Sequence, residues 1–192
     1  MELRTSLRSI MAIAMVVVVL GPITIAHSAP AEITEASLKA SMITAAQASA
    51  ATGLKITKRS ILQCSSAAGI QCYVAWGQTI TNGKPIAGSV SVTGFSAPSE
   101  ATMVLESNRR TTYTMNDVPG IKMNKGGKTF AYYFPKGPKI DAGTVSVQKT
   151  YGPFLVESGC EYGPNNNLKF GYKCALSLVN RQAKLLKSAG LL

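Results

Sequence analysis

Residues 72–94, CYVAWGQTITNGKPIAGSVSVTG, contain two runs rich in β-branched and aromatic residues on either side of a turn sequence. The runs predict strands at Cys72–Thr81 and Ile86–Gly94. Between them, Asn82-Gly83-Lys84-Pro85 is typical of a turn. In the second run small or polar residues alternate with valine, as they do in strands. This segment therefore predicts two strands joined by a turn.

Similar runs continue along the chain. They predict further strands at Thr102–Leu105, Thr111–Met115, Lys128–Phe134, Gly143–Lys149, Phe154–Glu157 and Leu168–Leu178. Turn residues separate several of them, as at Val118-Pro119-Gly120 and Gly163-Pro164-Asn165. Many short strands with regular turns predict a mainly β fold, a small antiparallel β-sandwich or open barrel. The length of 192 residues fits a single β-rich domain over residues 54–192.

Helices are predicted at both ends of this domain. Residues 29–53 are rich in alanine, and Leu38, Met42 and Ala45 are spaced like one face of a helix. We expect a helical or partly ordered leader outside the main domain, either a surface helix or a partner-binding helix. Asn180 is a suitable N-cap for a short C-terminal helix over Arg181–Ala189.

The N-terminus has the order of a secretory signal peptide. Two arginines precede the uncharged apolar run Ile10–Leu20, and a small-residue stretch follows it. Ala26 and Ser28 predict cleavage after Ser28, so residues 1–28 would be removed. The mature protein is then periplasmic or secreted, without a transmembrane anchor. Cleavage removes two of the 20 basic and one of the 9 acidic residues, which leaves 18 against 8 and a net charge of +10.

The four cysteines, Cys64, Cys72, Cys160 and Cys174, all follow the signal peptide. An even number in an exported chain predicts disulfides. A zinc site is the alternative, but the chain has no C-x-x-C pair, and we predict no metal. Three pairings are open; the short intervals favour Cys64 with Cys72 and Cys160 with Cys174, each on neighbouring strands joined by a turn.

Histidine is absent from the predicted mature chain, because the only one, His27, lies in the signal peptide. This excludes Ser-His-Asp and Cys-His nucleophile systems and imidazole acid-base chemistry. Glu157 and Glu161 flank Cys160 and could in principle act as paired carboxylates in a carbohydrate-active enzyme. Solubility or pairing with lysine is the ordinary interpretation of these two acids. We therefore expect a protein without enzymatic activity and without a cofactor.

A basic hairpin is the most concentrated feature of the mature sequence. Residues 118–140 contain five lysines and no acid: Lys122, Lys125, Lys128, Lys136 and Lys139. Phe130, Tyr132 and Phe134 would share one strand face and enter the core, which leaves Tyr133 on the lysine side. The hairpin predicts binding to an anionic surface, which could be a glycan, a lipid headgroup or an acidic protein, and no specific nucleic-acid site. Alternatively, its lysines only solubilise a sheet edge.

Several short motifs resemble the invasion-associated locus B family over roughly residues 63–190. They are Cys72-Tyr73-Val74, TNGKPIAGSVSV at 81–92, Phe134-Pro135-Lys136-Gly137, AGTVSV at 142–147, Cys160, CALSL at 174–178 and Lys187-Ser188-Ala189-Gly190. The resemblance implies a small exported bacterial protein linked to host-cell entry, with no known enzymatic residue. We therefore predict a binding module that contacts an anionic envelope or host-cell surface. An accessory subunit of an envelope assembly is the alternative.

Overall fold

Within the described residues, one open antiparallel sheet of seven strands forms the centre of the protein. The computed structural model describes residues 32–56, 61–66, 69–76, 88–111, 116–117, 128–134, 143–163 and 167–192. In chain order the strands are β1 (Ile61–Ser65), β2 (Ile70–Trp76), β3 (Gly88–Gly94), β4 (Asn116–Asp117), β5 (Thr129–Phe134), β6 (Gly143–Tyr151) and β7 (Phe154–Tyr162). The helices are α1 (Glu35–Ser41), α2 (Ala45–Thr52), α3 (Pro98–Thr111) and α4 (Leu168–Ser188). Across the sheet the strand order is β1-β2-β3-β7-β6-β5-β4. The predicted antiparallel β architecture with helices at both ends is confirmed, and the described strands do not close into a barrel.

Alternation along the strands gives the sheet two different faces. Cys72, Val92 and Val156 are aligned across β2, β3 and β7 and are completely buried. They belong to what we call the core face, which packs against α1, α2 and α4. The next position on each strand points the other way, and it is polar at Gln71, Ser91 and Glu157. We call this side the polar face; α3 packs against the part of it formed by β6 and β7.

The N-terminal helices belong to the main core. The sequence predicts one helix outside the domain, but the structure has two, and Leu38, Ile43 and Ala48 are completely buried in the core cluster of the sheet. Thr34 and Thr44 each form a capping box, which starts a separate helix at each site. Residues 35–52 are therefore part of the folded domain and its core, and they do not form a separate leader. The predicted signal peptide lies outside the described residues.

The predicted strand Thr102–Leu105 is wrong, because these residues lie inside α3. The Glu100 side chain accepts hydrogen bonds from the backbone N and the Oγ of Ser96, just before the first turn. Ala101 and Leu105, one helical turn apart, are both buried. A run of four apolar or β-branched residues does not distinguish a strand from one side of a helix. Of the predicted strand Thr111–Met115, the described part is the last residue of α3.

The predicted strand Leu168–Leu178 is also wrong, since the C-terminal helix begins at Leu168. Asn167 is its N-cap, and the side-chain oxygen accepts a hydrogen bond from the Phe170 N–H at 3.0 Å. Asn180, predicted as the N-cap, lies inside this 21-residue helix. Glycine at position 171 allows a close approach to the sheet, because a Cβ there would lie 2.9 Å from Val145 Cγ2.

The remaining differences concern strand ends. β1 was absent from the strands predicted by local sequence, although the cysteine spacing predicted a strand at Cys64; it pairs with β2 in a hairpin that places Cys64 opposite Cys72. β7 continues past the predicted Glu157 to Tyr162. The predicted turns at 82–85 and 118–120 lie outside the described residues. In the part of the chain that the structure describes, no helix has the length and apolar character needed to cross a membrane.

Candidate functional site

Both predicted disulfides are confirmed. Cys64 and Cys72 are bonded across the β1–β2 hairpin, and Cys160 on β7 is bonded to Cys174 on α4. The first bond joins neighbouring strands, as predicted. The second joins a strand to the helix that covers it, because Cys174 is helical rather than part of a strand. Two disulfides fit a protein that is exported from the reducing cytoplasm.

Most of the predicted basic hairpin lies outside the described residues. This holds for Lys122, Lys125, Lys136 and Lys139. Lys128 is described and exposed, immediately before β5. Tyr133, which we predicted on the lysine side, is half-buried on the core face, where it packs against the main core cluster. The described residues therefore do not bring Tyr133 into a binding site with lysines.

The other three aromatics of β5 share one face of the strand, as predicted, and this face is the polar face. Their rings follow one another along the strand, with centroids 5.3 Å apart for Phe130–Tyr132 and 5.6 Å for Tyr132–Phe134. Phe130 and Tyr132 are buried with Leu105 and Leu155 beneath α3. Phe134, at the end of the strand, is 43% exposed. Two of the three are thus core residues, but in a second, smaller cluster on the opposite side of the sheet from the main core.

Glu157 and Glu161 lie on the same face of β7, separated by Gly159. Four strand residues put their Cα atoms about 13 Å apart. The Glu157 Oε1 atom accepts a hydrogen bond from the Tyr132 hydroxyl at 2.8 Å, so this carboxylate is bonded to a residue of β5, on the far side of β6. Burial, reinforced by the Glu157 carboxylate, raises the pKa of Tyr132 above its usual value, which keeps the hydroxyl protonated. The two acids are therefore in different surroundings rather than in one carboxylate pair.

A basic surface that we did not predict covers the outer side of α4. The helix has five basic residues and no acidic residue in its 21 positions. Lys169, Lys173, Lys184 and Lys187 are exposed, and Arg181 is half-buried beside them. At 3.6 residues per turn, the four lysines lie within about 60° of one another around the helix axis, and the row is about 27 Å long. We call these five residues the α4 cationic face.

Nothing within the described structure neutralises this face. Among the described residues, the only ion pair joins Arg109 to Glu106, 2.8 Å apart on α3. Asn180 lies between the lysines and accepts a hydrogen bond from the Tyr151 hydroxyl, whose ring in turn lies under the Lys149 ammonium group. The Lys149 side chain therefore adds a further positive charge beside the middle of the helix. The described residues contain no cluster of three potential metal ligands.

The sequence signal for the α4 cationic face was the absence of acids after Glu161, where the remaining 31 residues contain five basic ones. The row of lysines was not recognised because residues 168–178 were predicted to form a strand. Lys169 and Lys173 then belong to a strand, Lys184 and Lys187 to a separate short helix, and no common surface results. Only a continuous helix aligns all four.

Comparison with known proteins supports the fold. The extracellular domain of PknH from Mycobacterium tuberculosis, a solved structure, is similar with a TM-score of 0.52 and 11% sequence identity. The match covers 81% of this chain and 100% of that one. No family model matches the chain, and neither does any curated protein. The resemblance to the invasion-associated locus B family therefore stays a prediction.

Proposed function

We propose that this protein is an exported, non-enzymatic binding module that contacts an anionic surface through the α4 cationic face. The observation that carries the proposal is the row of four exposed lysines with no acid on the helix. A planar surface of acidic headgroups or glycans can contact the whole row at once. Each lysine near such a surface contributes about 1 kcal/mol of attraction. A periplasmic or secreted location, at the envelope or a host cell, would supply the surface.

The positive charges at the start of α4 do not stabilise the helix itself. Lys169 and Lys173 are one turn apart, and like charges at that spacing repel. Lys169 also lies in the first turn, where the helix dipole favours an acid and disfavours a cation. The first turn contains no acidic residue to compensate. These unfavourable terms support a role for Lys169 and Lys173 in binding rather than in folding.

Binding rather than catalysis is favoured by the placement of the two candidate acids. Glu157 is engaged with Tyr132, and Glu161 lies about two strand repeats farther along the same face. A glycosidase instead directs two carboxyl groups at one bond from about 5–9.5 Å apart. We therefore propose no catalytic role for either residue. The basic hairpin stays a second candidate for the anionic contact.

Lys169→Glu is expected to change stability and binding in opposite directions. Affinity for vesicles that contain acidic phospholipid should fall at least tenfold, because replacing lysine with glutamate changes the net charge by two units, each worth about 1 kcal/mol. The free energy of unfolding should rise by about 0.5–1 kcal/mol, because an acid suits the first turn of a helix. Vesicle cosedimentation and urea denaturation measure the two effects.

Lys187→Glu is the matched control, since it makes the same charge change in the last turn of the same helix. It should weaken binding as well, but it should lower the free energy of unfolding, because a cation is favoured there. Full vesicle affinity in both variants would contradict the proposal.

A further inference from the structure

We infer that the polar face carries a second site, a pocket beside α3 that binds a single sugar unit. The pocket is a cavity of about 270 Å³ between α3 and strands β2, β3 and β7. This volume has space for one sugar ring and lies below the range of about 300–1,000 Å³ that is typical of larger ligands. It is lined by Gln71, Ser91, Thr93, Phe95, Val104, Asn108, Leu155 and Glu157.

The sheet register assembles the floor of this pocket. Gln71 is paired with Thr93, and Thr93 with Leu155, in one row across three strands. In the next row along, Ser91 is paired with Glu157. The Gln71 Nε2 atom donates a hydrogen bond to Ser91 Oγ at 3.1 Å, which ties the two rows together. The floor is thus a compact group of polar side chains on rigid strands.

Helix α3 forms one wall and is held by polar contacts as well. The Asn108 Nδ2 atom donates a hydrogen bond to Gln148 Oε1 on β6 at 3.1 Å. Val104 and Phe95 pack around the small cluster of Leu105, Phe130, Tyr132 and Leu155. These contacts give the pocket an apolar side next to its polar floor. Apolar side chains would fill the space under a helix at a lower desolvation cost, so the polar lining indicates a role other than packing.

Among the described residues of the lining, Glu157 is the only charged group. Its Oε1 atom accepts the hydrogen bond from Tyr132, and no donor among the described residues reaches Oε2. The ion pair found among the described residues joins Arg109 to Glu106, and Glu157 takes no part in it. The buried Tyr132 ring, packed between Phe130 and Phe134, fixes the carboxylate and leaves one oxygen for a ligand. A half-buried carboxylate of this kind gains most from ligand hydroxyl or ammonium donors.

The rest of the lining selects between ligand classes. Glu157 repels an anion, and a purely apolar ligand would leave the polar floor without partners. An amine would satisfy Glu157 alone, whereas Gln71, Ser91 and Thr93 together offer both donors and acceptors. A ring with several hydroxyl groups uses all of these groups and places its C–H face against Phe95 or Val104. The chemistry therefore points to a neutral monosaccharide or the end of a neutral glycan.

This site is independent of the proposed anionic contact. The pocket opens on the polar face, and the α4 cationic face covers the opposite side of the sheet. Both could be occupied at the same time, for example by a surface on one side and a sugar on the other. The failure of one proposal leaves the other intact.

The test is a titration of the full protein with glucose, galactose, mannose and N-acetylglucosamine, followed by ¹H–¹⁵N NMR. We expect saturable shifts for at least one sugar at the Gln71 side-chain amide and at the backbone amides of Ser91 and Glu157. Glu157→Gln should weaken that binding at least tenfold, because it removes a charged acceptor. The amide oxygen of the replacement side chain can still accept the Tyr132 hydrogen bond, so the fold should persist.

Glu161→Gln is the matched control, on the same strand and face and with the same change in charge. Its sugar affinity should equal that of the wild type. Absence of saturable shifts with all four sugars would overturn the proposal. So would equal weakening in both variants, or saturable shifts with ethanolamine but with none of the sugars.

Discussion

Replacing Gln182 with leucine is expected to lower the free energy of unfolding by about 2–5 kcal/mol. Gln182 is completely buried on α4. Its Oε1 atom accepts a hydrogen bond from the Ile43 N–H at 2.9 Å, and its Nε2 atom donates one to the Ser41 carbonyl at 3.0 Å. One side chain therefore satisfies two backbone groups in the short connection between α1 and α2. Leucine would fill the space and leave both groups without a partner.

Urea denaturation monitored by circular dichroism measures the loss. Gln63→Leu is the control, because Gln63 is an exposed residue of β1 and its replacement should change the free energy of unfolding by about 0.5 kcal/mol or less. If Gln182→Leu changed stability as little as this control, the two hydrogen bonds of Gln182 would not hold the N-terminal helices on α4.

Removal of the Cys160–Cys174 disulfide is expected to lower the free energy of unfolding by about 3 kcal/mol. The bond closes a loop with a sequence separation of 14 residues and attaches α4 to β7. Both cysteines are buried, so the double alanine variant also loses packing in the core. Denaturation of Cys160→Ala/Cys174→Ala in guanidinium chloride measures the sum of the two effects.

The Cys64–Cys72 bond provides the comparison. Its sequence separation is 8 residues, and Cys64 is only half-buried on the edge strand β1. The chain-entropy model gives a slightly smaller contribution for this shorter loop, and less packing is lost. Removal of the Cys64–Cys72 bond should therefore lower the free energy of unfolding less than removal of the Cys160–Cys174 bond. A larger loss of stability on removal of the Cys64–Cys72 bond would contradict the central place of α4 in the core.

The strands of the sheet were largely predictable, because their signal is local. In β3 and β6 the valines alternate with small polar residues, and in the structure every valine of these strands is buried on the core face. The disulfide pairing was also predictable, since the short intervals between cysteines favour it. The reason given for the second pair was wrong, because Cys174 lies on a helix.

The helices α3 and α4 were missed for a physical reason that the residues show. From Leu168 to Leu178 every second residue is apolar, which is the period of a strand. The helix instead buries Gly171, Cys174, Ala175 and Leu178 against the sheet. Two of these four are small residues that carry little apolar signal, and they are buried because the helix lies close to β6 and β7. That closeness is a tertiary property and does not show in local periodicity.

Neither candidate site was predicted from the sequence, because each depends on one of these two helices. The α4 cationic face exists only when residues 168–188 form one helix, and the pocket exists only when α3 lies over the polar face. Glu157 was found from the sequence, but its partner Tyr132 is 25 positions away in the chain and was assigned to the core. The pairing register of β5, β6 and β7 brings Tyr132 and Glu157 together.

The most direct test of the proposed function compares two triple variants with the same loss of charge. One replaces Lys173, Lys184 and Lys187 on α4 with glutamine, and the other replaces Lys122, Lys125 and Lys128 of the basic hairpin. Affinity for vesicles with acidic phospholipid is measured at several salt concentrations, because screening weakens such contacts with a Debye length of about 8 Å at physiological ionic strength. We expect the α4 variant to lose roughly 100-fold in affinity, at about 1 kcal/mol per lysine, and most of its salt dependence. The hairpin variant should stay near the wild type. Wild-type affinity in the α4 variant, with the loss confined to the hairpin variant, would contradict the proposed function.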